Sequence, residues 1–321
     1  MKVLFCGEYL GSERSQDVLE RLIPDAEIVT CARSAIRHSL AGVDVVCPWG
    51  AAVDASLMDA GTFGLVQQFG VGLEKVDVAA ATDHGIWVAR LPGELTGNAD
   101  SVAEIAVLHL LALSRRLDEA RQTVRDGGWG GPVGRSLAGK TVLVVGLGAI
   151  GSAVAARLRP FGVRLTGIRA HPANGGPVDR VGGPEELPEM LGEADAVICA
   201  AMYDGGDTRM FGGAAFAAMR RGALFVNVAR GGLVDEPALI AALDSGQIGG
   251  AGLDVFAGEP NPGPLARHPR VLATPHAGAL TDHMLQLSAR LFTENIHRWA
   301  AGENPHWAVN HPATARWRPR S

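Results

Sequence analysis

Three glycines follow a short apolar run in the middle of the chain. They are Gly146, Gly148 and Gly151, in the spacing Gly-x-Gly-x-x-Gly, directly after residues 142–145 and before an amphipathic segment. This order is typical of a strand, a tight turn and a helix. The first glycine permits the turn, the second lets an anion approach the backbone, and the third lets helix and strand pack closely. The N–H groups at the helix start then favour a pyrophosphate.

A glycine-rich turn can also be purely structural, but the strand before it and the helix after it are the context that dinucleotide binding requires. We therefore predict a dinucleotide site at this turn, with contacts from five of its residues: Gly146, Gly148, Ala149, Ile150 and Gly151.

Arg169 follows the second strand of this series, 18 residues after Gly151. An acidic residue near this place accepts hydrogen bonds from the adenosine ribose of NAD and repels a 2′-phosphate. An arginine pairs with such a phosphate instead. Arg169 therefore favours NADP(H), and the alternative is a solvated arginine at a strand end.

Polar residues also follow three later apolar runs. Arg230 comes after the run 224–229. Asp254 lies near the end of the run 251–255, and Glu259 follows that run. His276 comes after the run 271–274. Loops at the carboxyl ends of parallel strands converge on one crevice, so these residues can meet despite their separation in sequence. Taken singly, each has a structural alternative, such as a helix cap, an exposed turn or one of ten histidines.

The elements that would position these residues alternate between short apolar runs and helix-length amphipathic stretches, which predicts an α/β fold with parallel sheets. Helices are predicted at 98–125 and 281–301, and a tail with Trp307, Val309 and Trp317 is predicted to pack on the first domain. The predicted strands form two series: 2–6, 27–31, 43–47, 65–69 and 86–89, then 141–145, 164–168, 196–200, 224–229, 251–255 and 271–274.

The sequence resembles the D-isomer-specific 2-hydroxyacid dehydrogenases over nearly its whole length. The resemblance rests on Gly70-Val71-Gly72 with Val76-Asp77, on residues 97–104, and above all on the three segments with Arg230, Glu259 and His276. It implies two doubly wound parallel-sheet domains. A Rossmann NAD(P)-binding domain at 101–284 would be inserted into a flavodoxin-like substrate domain made of 1–100 and 285–321.

The same resemblance implies a role for each matching residue. Arg230 would hold the carboxylate and keto oxygen of a small 2-keto acid, and His276 would be the general acid in its reduction. Glu259 would orient the imidazole and favour its protonated form. Asp254 would bind the nicotinamide carboxamide. The N–H groups of Val71 and Gly72 would bind the substrate carboxylate. Further contacts with the cofactor would come from Ala201, Val228, Ala229 and Gly278.

The chain departs from the family pattern at the adenosine end and at the expected domain cleft. Ala201-Met202 stands where many relatives have Thr-Pro, and Arg169 replaces the usual Asp. The loop at 72–75 reads Gly-Leu-Glu-Lys, and the stretch 91–97 is longer than usual. The resemblance therefore does not specify which 2-hydroxy acid is used.

Composition limits the other classes of function. A net charge of −5 and a pI near 6.1 disfavour nucleic-acid binding. No apolar run is long enough for a membrane helix, and four cysteines without metal-ligand spacing predict reduced thiols, no metal site and a cytoplasmic protein. Family dimers predict a homodimer through residues 98–140 of the Rossmann domain. The alternative function is a non-catalytic NAD(P)(H)-sensing protein, similar to co-repressors on this fold.

Arg169 gives the first testable prediction. Arg169→Asp should lower the ratio of kcat/KM with NADPH to kcat/KM with NADH, because a carboxylate repels the 2′-phosphate that the guanidinium would bind. Steady-state kinetics with both cofactors measures this ratio. An unchanged ratio would mean that the side chain does not contact the phosphate.

Overall fold

The computed structural model describes residues 1–7, 12–203, 206 and 209–316. Its strands and helices, in chain order, are β1 (Lys2–Cys6), α1 (Ser12–Leu22), β2 (Glu27–Cys31), β3 (Val45–Cys47), α2 (Ala55–Ala60), β4 (Leu65–Gln68), α3 (Val78–Asp83), β5 (Trp87–Arg90), α4 (Asn98–Ser114), α5 (Leu117–Arg125), β6 (Thr141–Val145), α6 (Ala149–Leu158), β7 (Arg164–Ile168), β8 (Arg180–Gly182), α7 (Leu187–Glu193), β9 (Ala196–Cys199), α8 (Gly213–Ala218), β10 (Ala223–Asn227), α9 (Glu236–Asp244), β11 (Ile248–Leu253), β12 (Val271–Ala273) and α10 (Asp282–Ala300). Short 3-10 helices lie at Arg33–Ser39, Arg159–Phe161, Pro172–Asn174, Pro184–Glu186, Gly231–Leu233 and Leu265–Arg267.

The chain divides into two compact units. Unit 1 comprises residues 1–98 and the segment from Thr281 onward, and unit 2 comprises Ala99–Leu280. Each unit has its own parallel sheet with an apolar core on both faces. The predicted α/β class with two parallel-sheet domains is confirmed.

The sheet of unit 1 has five parallel strands in the order β2-β1-β3-β4-β5. This is the flavodoxin-like order, in which the chain reverses its direction of sheet growth after β2. The strands β1 and β3 are buried on both faces, so they read as continuous apolar runs in the sequence, whereas the edge strand β2 is only partly buried.

The tail packs on unit 1 through β5. Ala308 forms an antiparallel bridge with Ala89, and Val309 N–H donates to the carbonyl of Val88 at 2.8 Å. Asn310 then accepts from the N–H of Val88 at 2.7 Å, which satisfies the open edge of the strand. The packing predicted for Trp307 and Val309 is confirmed, and Trp317 lies outside the described residues.

The sheet of unit 2 has seven parallel strands in the order β12-β11-β10-β9-β6-β7-β8. Its growth reverses at β6, as in a dinucleotide-binding fold. The sequence predicted six of these strands and missed β8, because three residues, Arg180–Gly182, that include a glycine give almost no periodic signal. The sequence also placed the start of β11 at residue 251 rather than at Ile248, since Gly249 and Gly250 weaken the strand pattern.

The single helix predicted at 98–125 is wrong, because α4 ends at Ser114 and α5 begins at Leu117. Arg116 between them takes a left-handed conformation with φ of 52°. The carbonyl of Ser114 accepts the N–H of Arg135 at 2.6 Å, so a distant loop takes the acceptor that a continuous helix would use. Local periodicity does not reveal this competing partner.

No helix within 1–7, 12–203 and 209–316 combines the length and apolarity needed to cross a membrane. In the same described ranges no three His, Cys, Asp or Glu side chains group as metal ligands would.

Gly151 gives a prediction about stability. A Cβ at this position would lie 1.9 Å from the carbonyl oxygen of Gly146, whereas a Cβ at Gly148 meets nothing within 4 Å. Gly151→Ala should lower the thermal midpoint by roughly 2–12 °C, because overpacking costs about 1–3 kcal/mol. The matched control Gly148→Ala should stay within about 2 °C of the wild type. Equal midpoints for the two variants, measured by calorimetry, would contradict this packing.

Candidate active site

The carboxyl ends of three neighbouring strands in unit 2 lie level with one another. Asn227 at the end of β10 pairs with Leu253 of β11, and Leu253 pairs with Ala273 of β12. The loops that start there are joined by backbone hydrogen bonds, from Asp254 N–H to the Asn227 carbonyl at 3.0 Å and from Thr274 N–H to the Leu253 carbonyl at 2.9 Å. The segments that carry Arg230, Glu259 and His276 therefore begin at one edge of the sheet.

His276 and Glu259 form the central pair at this edge. His276 Nδ1 lies 2.8 Å from Glu259 Oε2, and the side chains are 32% and 27% exposed. The other carboxylate oxygen accepts the N–H of Phe256 at 2.9 Å. Because an ionised carboxylate only accepts, Nδ1 carries the hydrogen and Nε2 is the ring atom turned away from Glu259. The pair is therefore half-buried but open to a small molecule.

The electrostatics of the pair keep Glu259 ionised. Burial raises the pKa of its carboxyl, but the hydrogen bond and charge of His276, with the Phe256 N–H and the charge of Arg230, lower it by more. The net pKa lies below the ordinary value of a glutamate. Glu259 therefore remains a carboxylate through the neutral range, where it can orient the imidazole.

Asp254 fixes the backbone that carries His276. The Asp254 carbonyl accepts the N–H of His276 at 2.8 Å, while its carboxylate accepts the N–H groups of Ala277 and Gly278, each at 2.9 Å. His276 has a positive φ of 54°, which is uncommon for a residue with a side chain. A Cβ at Gly278 would lie 2.7 Å from Asp254 Oδ2, so a glycine is needed for this close approach.

Arg230 lies on the next loop of the same edge, and its charge acts on Glu259. Its guanidinium donates to the Ala229 carbonyl at 2.8 Å. Asn227 braces this loop from both sides, since its amide donates to the Arg230 carbonyl and its oxygen accepts the Ala229 N–H, both at 3.0 Å. Val228, also predicted at the site, is buried in the same loop and donates to the Cys199 carbonyl at 3.1 Å.

The glycine turn has the shape that the sequence predicted. Gly146 has φ of +98°, and a Cβ there would lie 2.5 Å from the Cα of Ala201, so the turn packs against the loop after β9. Gly148 is exposed with open space around it. The first intrahelical bond of α6 runs from Ser152 N–H to the Gly148 carbonyl, so the N–H groups of the first turn precede the hydrogen-bond ladder. This cradle fits a dinucleotide phosphate, and the three N–H groups belong to Ala149, Ile150 and Gly151.

Arg169 lies at the carboxyl end of β7. Its backbone N–H donates to the Gly182 carbonyl at 3.1 Å, and its Nη1 donates to the Gly175 carbonyl at 2.5 Å. The second bond holds the guanidinium against the loop that follows β7.

Unit 1 contains the other predicted substrate contact, the loop with Val71 and Gly72. The Val71 carbonyl accepts from Arg90 Nη1 at 3.2 Å, and the Gly72 carbonyl accepts from Gln68 Nε2 at 2.6 Å. Gln68 also accepts the N–H of Phe69 at 3.2 Å. The loop is thus anchored through its carbonyl oxygens, and Val71 and Gly72 are both partly exposed.

The sequence missed three side chains that support the edge of the sheet in unit 2. Asn227 was counted only as part of a strand, Thr274 only as a strand end, and His109 only as one position of a helical apolar face. All three are polar residues in apolar runs, and His109 and Asn227 are 0% and 1% exposed. A buried polar residue needs a partner, which is the signal that could have identified them.

Comparison with known proteins identifies similar sequences. Residues 107–278 match the family model described as D-isomer specific 2-hydroxyacid dehydrogenase, NAD binding domain. A glyoxylate reductase from Korarchaeum cryptofilum is 35% identical over 272 residues, covering 80% of each chain. A D-3-phosphoglycerate dehydrogenase from Mycobacterium leprae is 37% identical over 262 residues, covering 80% of this chain but 49% of that longer one.

Solved structures show the same architecture. The apo-structure of D-lactate dehydrogenase from Escherichia coli superposes with a TM-score of 0.81 at 26% identity, covering 97% of this chain and 100% of the other.

Proposed function

Since the chain belongs to the D-isomer specific 2-hydroxyacid dehydrogenase family, we propose that it reduces a small 2-keto acid to the D-2-hydroxy acid, with His276 as the general acid. The observation that carries this proposal is the 2.8 Å contact between His276 Nδ1 and Glu259. It leaves Nε2 as the atom that exchanges a proton with substrate.

A reduced nicotinamide dinucleotide, when bound, would supply the hydride. As negative charge develops on the keto oxygen, His276 Nε2 donates a proton to it, and the carboxylate of Glu259 stabilises the imidazolium before that transfer. Arg230 binds the substrate carboxylate and the keto oxygen through its planar donors. The N–H groups of Val71 and Gly72 bind the carboxylate, supported by the anchoring of this loop through its carbonyl oxygens.

The cofactor is NAD(P), with the pyrophosphate at the turn that contains Gly146, Gly148 and Gly151. Asp254 accepts from the nicotinamide carboxamide. Arg169 favours NADP(H), which is supported by its position at the end of β7. The other contacts proposed for the cofactor are with Ala149, Ile150, Ala201, Val228, Ala229 and Gly278.

The alternative of a non-catalytic NAD(P)(H)-sensing protein has no specific observation in its favour. A sensor needs the dinucleotide site alone, whereas this chain also holds an oriented histidine–carboxylate pair. In the proposed enzyme, unit 1 is the substrate domain and unit 2 is the cofactor domain. The cytoplasmic location stays a prediction of the sequence.

Replacement of His276 tests the proposed acid. His276→Ala should lower kcat for 2-keto acid reduction by about 10²-fold or more, while the Kd for the dinucleotide changes little, because the proton transfer is lost and the phosphate site is not touched. The assay uses glyoxylate, hydroxypyruvate, pyruvate, phenylpyruvate and oxaloacetate with NADH and with NADPH. The control His297→Ala alters an exposed histidine of α10 and should keep wild-type turnover. Near-normal turnover in His276→Ala would refute the assignment.

The proposed enzyme is a homodimer through unit 2. Large apolar side chains are exposed in and after α4 and α5, among them Val124 at 63%, Trp129 at 94% and Val133 at 87%. Exposed apolar side chains concentrated in one stretch are typical of an interface between chains. This stretch lies within the residues that the family resemblance assigns to the dimer contact.

Sedimentation equilibrium tests the dimer. The wild type should have the mass of two chains, and Trp129→Glu should shift it toward one, because burial of an unpaired carboxylate is unfavourable. Met202→Glu is the matched control, since Met202 is 96% exposed in the same unit but outside this stretch. A single-chain mass for the wild type, or equal effects of both variants, would contradict the proposed interface.

A further inference from the structure

A histidine is buried inside unit 2 next to the candidate site. His109 lies on α4 and is 0% exposed. Its ring packs on β11 at Gly252, where a Cβ would lie 2.6 Å from His109 Cβ and 3.0 Å from Nδ1. The absent side chain of Gly252 therefore makes the space that the imidazole fills. The function proposed above does not use this histidine.

His109 is joined to Asp254 through one hydroxyl. His109 Nε2 lies 3.2 Å from Thr274 Oγ1, and Thr274 Oγ1 lies 2.6 Å from Asp254 Oδ1. A carboxylate only accepts, so the single hydroxyl hydrogen of Thr274 must go to Asp254. Nε2 of His109 must then donate to Thr274. The three groups therefore form one hydrogen-bonded chain that runs from His109 through Thr274 to Asp254 as the final acceptor.

Burial determines the protonation state of His109. It lowers the pKa of the imidazole, against the charge of Asp254 and the backbone of Gly252, which raise it. The ring is therefore neutral at neutral pH, with its one hydrogen on Nε2. This tautomer is the one that the hydrogen-bond directions require.

The hydrogen bonds to Asp254 leave one acceptor position. A carboxylate has about four lone-pair positions. Oδ1 accepts from Thr274 and from the Ala277 N–H, and Oδ2 accepts from the Gly278 N–H. Within the described part of the chain, the fourth position, on Oδ2, is left for another donor.

We propose that His109 and Thr274 are positioning residues that fix the rotation of the Asp254 carboxylate, so that the remaining acceptor position on Oδ2 meets the carboxamide N–H of the nicotinamide. This inference rests on the contact of Asp254 with the cofactor in the proposed function. The two residues touch neither substrate nor cofactor, and they act through Asp254. They determine which dinucleotides bind, by requiring an amide donor on the ring.

The test compares two ligands that differ in that donor. Calorimetric titration gives the Kd for NAD or NADP, whichever the wild type binds more tightly, and for its 3-acetylpyridine analogue, in which a methyl group replaces the amide nitrogen. Thr274→Val keeps the shape and removes the hydroxyl, and His109→Leu removes the donor. Each should weaken binding of the natural dinucleotide about tenfold, the size of a hydrogen bond to a charged group. Binding of the analogue should change less than twofold.

Conservative variants provide the control. Thr274→Ser keeps the hydroxyl, and His109→Gln can donate from its amide, so both should bind the natural dinucleotide within about threefold of the wild type. If His109→Leu does not fold, the comparison of Thr274→Val with Thr274→Ser decides the question. Equal losses for both ligands, or no loss in Thr274→Val, would overturn the proposal. These titrations involve no turnover, so an absence of 2-keto acid reduction would count against the proposed function and not against this inference.

Discussion

The carboxylate of Asp254 is the interaction on which the edge of the sheet in unit 2 depends. It is 3% exposed, and it accepts the N–H groups of Ala277 and Gly278 together with the hydroxyl of Thr274. A buried carboxylate is costly unless such donors surround it, so its bonds hold the following loop in one conformation. That conformation includes the positive φ of His276. The position of His276 therefore depends on the hydrogen bonds that stabilise the buried charge of Asp254.

Two acidic residues have different tasks within this short region. Asp254 is buried and holds backbone, while Glu259 is half-buried and holds the imidazole of His276. The pKa of Glu259 lies below its ordinary value despite burial, because the hydrogen bond and charge of His276 outweigh the cost of desolvation, so the carboxylate is ionised at neutral pH. In unit 1, side-chain donors hold backbone instead, since Gln68 and Arg90 donate to the carbonyl oxygens of Gly72 and Val71.

Much of the fold could be predicted from the sequence because buried parallel strands leave continuous apolar runs. The runs at 141–145 and 164–168 match β6 and β7 residue for residue. The short strand β8 and the break at Arg116 could not be predicted, because each depends on a partner distant in sequence rather than on local periodicity. The local sequence also does not distinguish Glu259 from a glutamate in an exposed Glu-Pro turn, whereas its position in the fold does. Its contact with His276 joins residues 17 apart, which no local pattern specifies.

The proposed reaction is hydride transfer to C2 of a 2-keto acid. The most direct measurement uses reduced dinucleotide deuterated at C4 of the nicotinamide, on each face in turn. The substrate is the most rapidly reduced acid of the panel other than glyoxylate, because the glycolate formed from glyoxylate is achiral. Mass spectrometry locates the label, and chiral chromatography identifies the product. We expect that one of the two labelled cofactors, and only one, delivers deuterium to C2, and that the product has the D configuration. Absence of deuterium at C2 with both, or an L product, would contradict it.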